Sequence, residues 1–214
     1  MFSHEAIRQY PHLILLRCWL DLYHWYRLDY LVKDLDQADL QLKTSALKAR
    51  ETGPLKAEVA AMRSNLAYWT LNPSQGVALA EQALRDSPDG HECVQSTALL
   101  GYGALYQMLG EVQQGERVLW DYMDDGRFNS QGSLARLMFS MCIVYWPESE
   151  TRKLQQAASR LLQISLEYEL SWNHSFARYF LGLIHYERNE LNEAVAQFEI
   201  IVGDPYRFPI QNVA

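Results

Sequence analysis

The sequence predicts an all-α fold, a solenoid of about five helix-turn-helix pairs forming one domain over residues 1–214. Three observations carry this. Apolar residues recur with helical periodicity from end to end, and no stretch alternates with period two long enough to make a sheet. Turn signals punctuate the pattern at Thr52-Gly53-Pro54, Asn72-Pro73, Ser87-Pro88-Asp89-Gly90, Gly110, Asp124-Asp125-Gly126 and Pro147. A small residue marks a close helix approach in each pair, at Cys18, Ala67, Gly103, Cys142 and Gly182, with spacings of 49, 36, 39 and 40 residues. One pair cannot bury its apolar face alone, whereas a stack of five shares one core.

Taken in order, the first pair covers about 12–48, with Pro11 opening a helix from His12 to Tyr26 and its partner running from Asp29 to Lys48. Thr52-Gly53-Pro54 is expected to break the chain before the second pair, about 55–86, in which Asn72-Pro73 supplies a cap and a first-turn proline. The third pair is about 92–123, with Gly110 at its corner. The fourth, about 133–169, turns at Pro147 and resumes at Glu148.

The fifth pair, about 174–203, is the most regular. Gly182 permits a close approach, Asn189 can take the left-handed conformation that ends a helix, and Ala194 and Phe198 follow four residues apart. Leu181-Gly182, His185-Tyr186, Asn189, Ala194 and Phe198 in this order resemble a tetratricopeptide repeat. The resemblance implies a right-handed superhelix with the first helix of each pair on its concave side.

Composition narrows the function classes. Apolar residues make up 49% and charged residues 21%, too apolar for a disordered chain. Net charge is −7 and no Lys/Arg run exceeds two residues, so the clustered cations of a nucleic-acid surface are missing. No apolar run approaches a membrane span and Met1–Tyr10 lacks the pattern of a signal peptide, so a cytoplasmic protein is expected. Cys18, Cys93 and Cys142 lie in apolar helical patterns and read as buried, reduced thiols. The apolar tail from Ile200 through Phe208-Pro209-Ile210, and a repeat that starts almost at once, suggest a piece of a longer protein or self-association through the repeat ends.

Catalytic signatures fail on chemistry. Gly110 and Gly115 have the glycine spacing of a phosphate loop, but Glu116-Arg117 stands where Lys-Ser/Thr is required, and a carboxylate there repels phosphate. Gly101 and Gly103 sit mid-helix, where packing explains them. His174 and His185 are 11 residues apart, too far along one helix to share a metal, and no Cys-x-x-Cys exists. Asp121, Asp124 and Asp125 lack the alternation of a calcium loop. No enzyme, cofactor or metal site is expected.

What remains is a surface for a protein partner or small-molecule inducer. Counting helical positions from each small residue brings Trp19 and Tyr23 inward in the first pair, Tyr68 in the second and Gln107 in the third. In the fourth it brings Arg136, Phe139 and Trp146, and in the fifth Tyr179, Tyr186 and Glu187. Aromatic rings with polar tips bury area at low entropic cost, which suits a binding groove.

Beyond the generic repeat, Tyr145 to Val202 resembles the repeat region of the maltose-regulator (MalT) group of large ATP-binding LuxR-type transcriptional regulators, and Tyr10 to Trp19 is similar to the segment that opens that region. The resemblance implies a sensor and interaction domain that receives an inducer or partner, between an NTPase module and a helix-turn-helix output domain. Neither a P-loop nor a basic recognition helix is present here, so only the sensing role carries over. A scaffold or oligomerisation domain of a signalling ATPase or cyclase is the alternative.

Overall fold

The computed structural model describes residues 10–22, 28–44, 48–124, 126 and 128–203. Among them the chain is all-helical, without a strand. The elements are α1 (Pro11–Leu22), α2 (Leu28–Thr44), α3 (Ala49–Trp69), α4 (Pro73–Asp86) and α5 (Glu92–Met108), then α6 (Val112–Asp124), α7 (Gln131–Tyr145), α8 (Thr151–Glu167), α9 (Ser171–Glu187) and α10 (Leu191–Gly203). The chain divides into two compact units, Met1–Leu105 and Tyr106–Ala214.

In the first unit α1, α2 and α3 pack on one another, and α4 packs on α3. Ile14, Leu15 and Cys18 of α1 meet Leu31, Leu35 and Leu42 of α2 and Val59, Met62 and Leu66 of α3. The spacings of three, four and seven place each set on one face of its helix. Each fully buried Leu or Ile contributes about 1.5–3 kcal/mol relative to leaving it in water. Charges flank this core: Arg17 pairs with Asp34, and Arg63 bridges Asp36 at 2.8 Å and Asp39 at 2.7 Å. Gly76 lets α4 approach, since a Cβ there would lie 2.8 Å from that of Ala67 and 2.7 Å from the Leu105 methyls.

In the second unit each of α6 to α10 packs on the next, and α7 also touches α9, so the first helix of one pair lies against the first helix of the following pair. An aromatic cluster fills that contact. Phe139 of α7 lies 4.4 Å from Phe176 and 5.0 Å from Trp172, ring centre to ring centre, and Phe180 continues the row.

The corners inside four successive pairs are built alike. Leu71, Gly110, Ser149 and Asn189 all adopt positive φ, between 54° and 78°, at intervals of 39, 39 and 40 residues. At each corner the next residue's N–H bonds the carbonyl five residues back: Asn72 to Ala67, Glu111 to Tyr106, Glu150 to Tyr145, and Glu190 to His185. The positive-φ residue itself donates to the carbonyl three residues back, that of Tyr68, Gln107, Trp146 or Tyr186. This is the Schellman motif, which satisfies carbonyls the helix end would orphan. Its recurrence makes the chain a helical repeat of 39–40 residues over these four pairs.

Several expectations need correction. Thr52-Gly53-Pro54 does not break the chain; α3 begins at Ala49 and carries Pro54 inside. Pro54 falls in the second turn, where it forfeits only the bond to the Arg50 carbonyl, and Gly53 before it has no Cβ to clash with the ring. Glu51 secures this start by accepting the Lys48 backbone N–H at 2.9 Å. The second helix of the fourth pair starts at Thr151 rather than Glu148, because Ser149 takes the left-handed conformation first. Counted from the corners, the position of Gly103, Cys142 and Gly182 is held in the second pair by Ser64, one turn before Ala67. Cys18 and Cys142 are buried, and burial pushes both thiols up, that of Cys18 to about 12, but Cys93 is exposed on the first turn of α5. The first helix extends to Leu22; its expected continuation to Tyr26, the end of its partner near Lys48 (residues 45–47), and the tail Phe208-Pro209-Ile210 lie outside the described residues.

Candidate functional site

The structure brings four of the expected surface residues to one repeat position. Tyr68, Gln107, Trp146 and Tyr186 each sit three residues before a corner, where the carbonyl is committed to the turn. Tyr68 and Gln107 are half-buried, while Trp146 is 40% and Tyr186 63% exposed. Phe139 and Tyr179 share a second position, ten residues before a corner.

Their surroundings differ. Tyr68 meets Trp69 edge to face at 5.0 Å. Gln107 donates its amide to the Val144 carbonyl at 3.4 Å. Trp146 lies edge-on to Tyr179, and Tyr179 approaches Phe198, so three rings form a half-covered aromatic surface where the end of α7 meets the middle of α9. Glu187 is exposed and Arg136 is half-buried. Phe139, 3% exposed, belongs to the core, because Trp172 and Phe176 cover it. Trp19 is half-buried against the first core and donates its indole N–H to Glu58 at 2.9 Å. Tyr23 lies outside the described residues.

The two histidines singled out in the sequence have partners. His185 Nδ1 lies 2.7 Å from Glu190 Oε2, across the corner whose backbone the same two residues join. His174 Nε2 accepts from Arg178 at 3.3 Å. Among the described residues no group of three or more His, Cys, Asp or Glu side chains is placed to hold a metal ion. None of their helices is long and apolar enough to cross a membrane.

A second feature was not legible in the sequence. A groove of about 440 Å³ opens between α6, α7 and α8, that is, between the second helices of two successive pairs. Trp120, Met123, Met138, Met141 and Ala157 form its apolar surface. Ala157 explains the space: a methyl group on α8 faces long side chains on α6 and α7 and does not fill the gap between them. One wall is polar. Glu116 accepts a hydrogen bond from Tyr145 Oη at 2.9 Å and from Lys153 Nζ at 3.1 and 3.3 Å, and Lys153 lies 5.4 Å from the centre of the Tyr145 ring. Burial pushes the Tyr145 hydroxyl up, the Trp120 indole opposes this, and Glu116 adds to it. Tyr145 therefore stays protonated across the neutral range and acts as a donor. Arg160 and Gln156 stand at the exposed edge.

Pattern reading missed the groove because α7 is buried nearly all round, and periodicity cannot say which of its faces is incompletely covered. The only hint was two methionines three residues apart, Met138 and Met141, opposite a small residue. No family model, curated protein or solved structure matches this chain.

Proposed function

We propose that the chain is a non-catalytic sensor and protein-interaction module, a right-handed superhelical stack of repeats that receives an inducer or a partner protein on its concave face. One observation carries the reading: Tyr68, Gln107, Trp146 and Tyr186 recur at the same position of consecutive repeats with polar or aromatic side chains, and of these Trp146 and Tyr186 are exposed. A ligand bridging several repeats would favour one curvature of the stack, because it binds the two states unequally.

The likeness of Tyr145–Val202 to the maltose-regulator group supports placement within a LuxR-type transcriptional regulator that acts in the cytoplasm. The gene tests this: a nucleotide-binding module before Met1 and a helix-turn-helix module after Ala214 are expected, and an unrelated enzyme on either side overturns it. The surface itself is tested by photo-crosslinking in the native cell from Trp146 and Tyr186, with exposed Arg152 on α8 as the comparison site. A discrete adduct from the first two positions and none from the third is expected. Identical adducts from all three would sink the assignment.

A second reading, a scaffold that assembles through its ends, has its own observation. Leu191, Val195 and Val202 of α10 are 52%, 53% and 59% exposed. At about 100° per residue the three share one stripe, adjacent to the sector through which Ala194 and Phe198 face α9.

A further inference from the structure

The groove between α6, α7 and α8 has a size and a charge pattern that identify a ligand class. Its volume of about 440 Å³ lies within the ~300–1,000 Å³ of small-molecule sites. Between Lys153 and Arg160 it follows α8 for seven residues, about 10 Å, short for a partner helix and adequate for a small amphiphile. Three methionines and an indole give it an adaptable apolar surface, since thioethers repack at little cost.

Polar groups set the orientation. Lys153 is neutralised by Glu116, and the single hydroxyl proton of Tyr145 is engaged by the same carboxylate, so that wall presents a paired charge. Arg160 is different. Among the described residues it donates to the neutral Gln163 amide at 2.7 Å and pairs with no carboxylate. A guanidinium has five N–H donors, so most of its capacity faces solvent at the groove edge. With one carboxylate against two cations, the groove carries a local positive excess on a chain of net charge −7.

We propose that this groove binds a small anionic amphiphile, a monocarboxylate with an aliphatic or aromatic body. The apolar body lies on Trp120, Met138 and Met141, and the carboxylate reaches Arg160 at the edge. The proposal rests on the sensor reading for its consequence: a ligand wedged between α6 and α8 ties together the second helices of two successive pairs and biases their spacing. It places the small-molecule site on a different surface from the Trp146–Tyr186 positions.

Decanoate and 1-decanol, titrated calorimetrically against the whole chain below the micelle concentration of decanoate, test it. Decanoate is expected to bind more tightly than decanol. Arg160→Gln is expected to weaken decanoate about tenfold and leave decanol unchanged, as for loss of one charge-assisted hydrogen bond. Trp120→Ala is expected to weaken both, and because Trp120 is 43% exposed this change leaves the core in place. No decanoate binding, equal binding of acid and alcohol, or an Arg160→Gln variant with full decanoate affinity would each overturn the proposal. A silent titration beside a clean cross-link from Tyr186 removes the groove and leaves the interaction module standing. The reverse pair of results removes the Tyr186 surface and leaves the groove.

Discussion

Gly182 shows how much one missing side chain decides. A Cβ at this position would lie 2.5 Å from Phe198 Cε1, closer than side chains tolerate, so the ring of α10 rests directly on the backbone of α9. The sequence anticipated the close approach at Gly182 and an inward Phe198, but not that the two would meet. Gly182→Ala should lower stability by about 1–2 kcal/mol, overpacking outweighing the better helix propensity of alanine. In a Phe198→Leu background the cost should shrink, because the ring edge is gone. Urea unfolding of the four proteins in this cycle gives the answer, and an equal cost in both backgrounds would refute the contact. Residue-level reading worked less well for the thiols. Cys93 shares the apolar pattern of Cys18 and Cys142, but it is exposed on the first turn of α5, beside buried Val94.

At the scale of elements, the corners carry the order of the molecule. Asn189 and Gly110 are residues that accept positive φ, and both were recognisable as helix ends. Leu71 and Ser149 were not: nothing in a leucine signals the left-handed conformation, and it is held there only because α4 must turn back on α3. That strain is measurable. Leu71 is 76% exposed, so Leu71→Gly loses little packing and should stabilise the chain by about 0.5–1 kcal/mol, the relief exceeding the added freedom of the unfolded state. Gly110→Ala should destabilise by about 1 kcal/mol, since it puts a Cβ where φ is 78°. Denaturation midpoints that move in the same direction for both would contradict the account. Pro54 teaches the converse lesson. Read locally, Gly53-Pro54 ends a helix, but burial of Leu55 and Val59 holds the helix through it.

For the whole molecule, what matters is which apolar surface remains uncovered. The stripe of Leu191, Val195 and Val202 continues the packed face of α10 beyond the reach of α9. If it is an assembly surface, the apparent mass in light scattering should rise with concentration, and Val195→Lys should abolish the rise without changing the helical signal. A mass independent of concentration in the unsubstituted chain would dismiss assembly through this helix. That the tail was apolar could be read from the sequence. That the exposed part forms one stripe could not, because it depends on where α9 lies.

Local pattern is enough to make the chain helical and to set roughly where each helix turns, because periodicity, proline and glycine act within a few residues of themselves. It also nominated Gln107, Trp146 and Tyr186, each four residues after its small residue, and Tyr68 from a register that the corners shift by three residues. Packing between helices settles that Phe139 is core, that Ser64 rather than Ala67 aligns with Gly182, and that a groove lies beside Ala157. Each of these depends on the distance between helices that are far apart in the chain, and a one-dimensional pattern holds no measure of that distance.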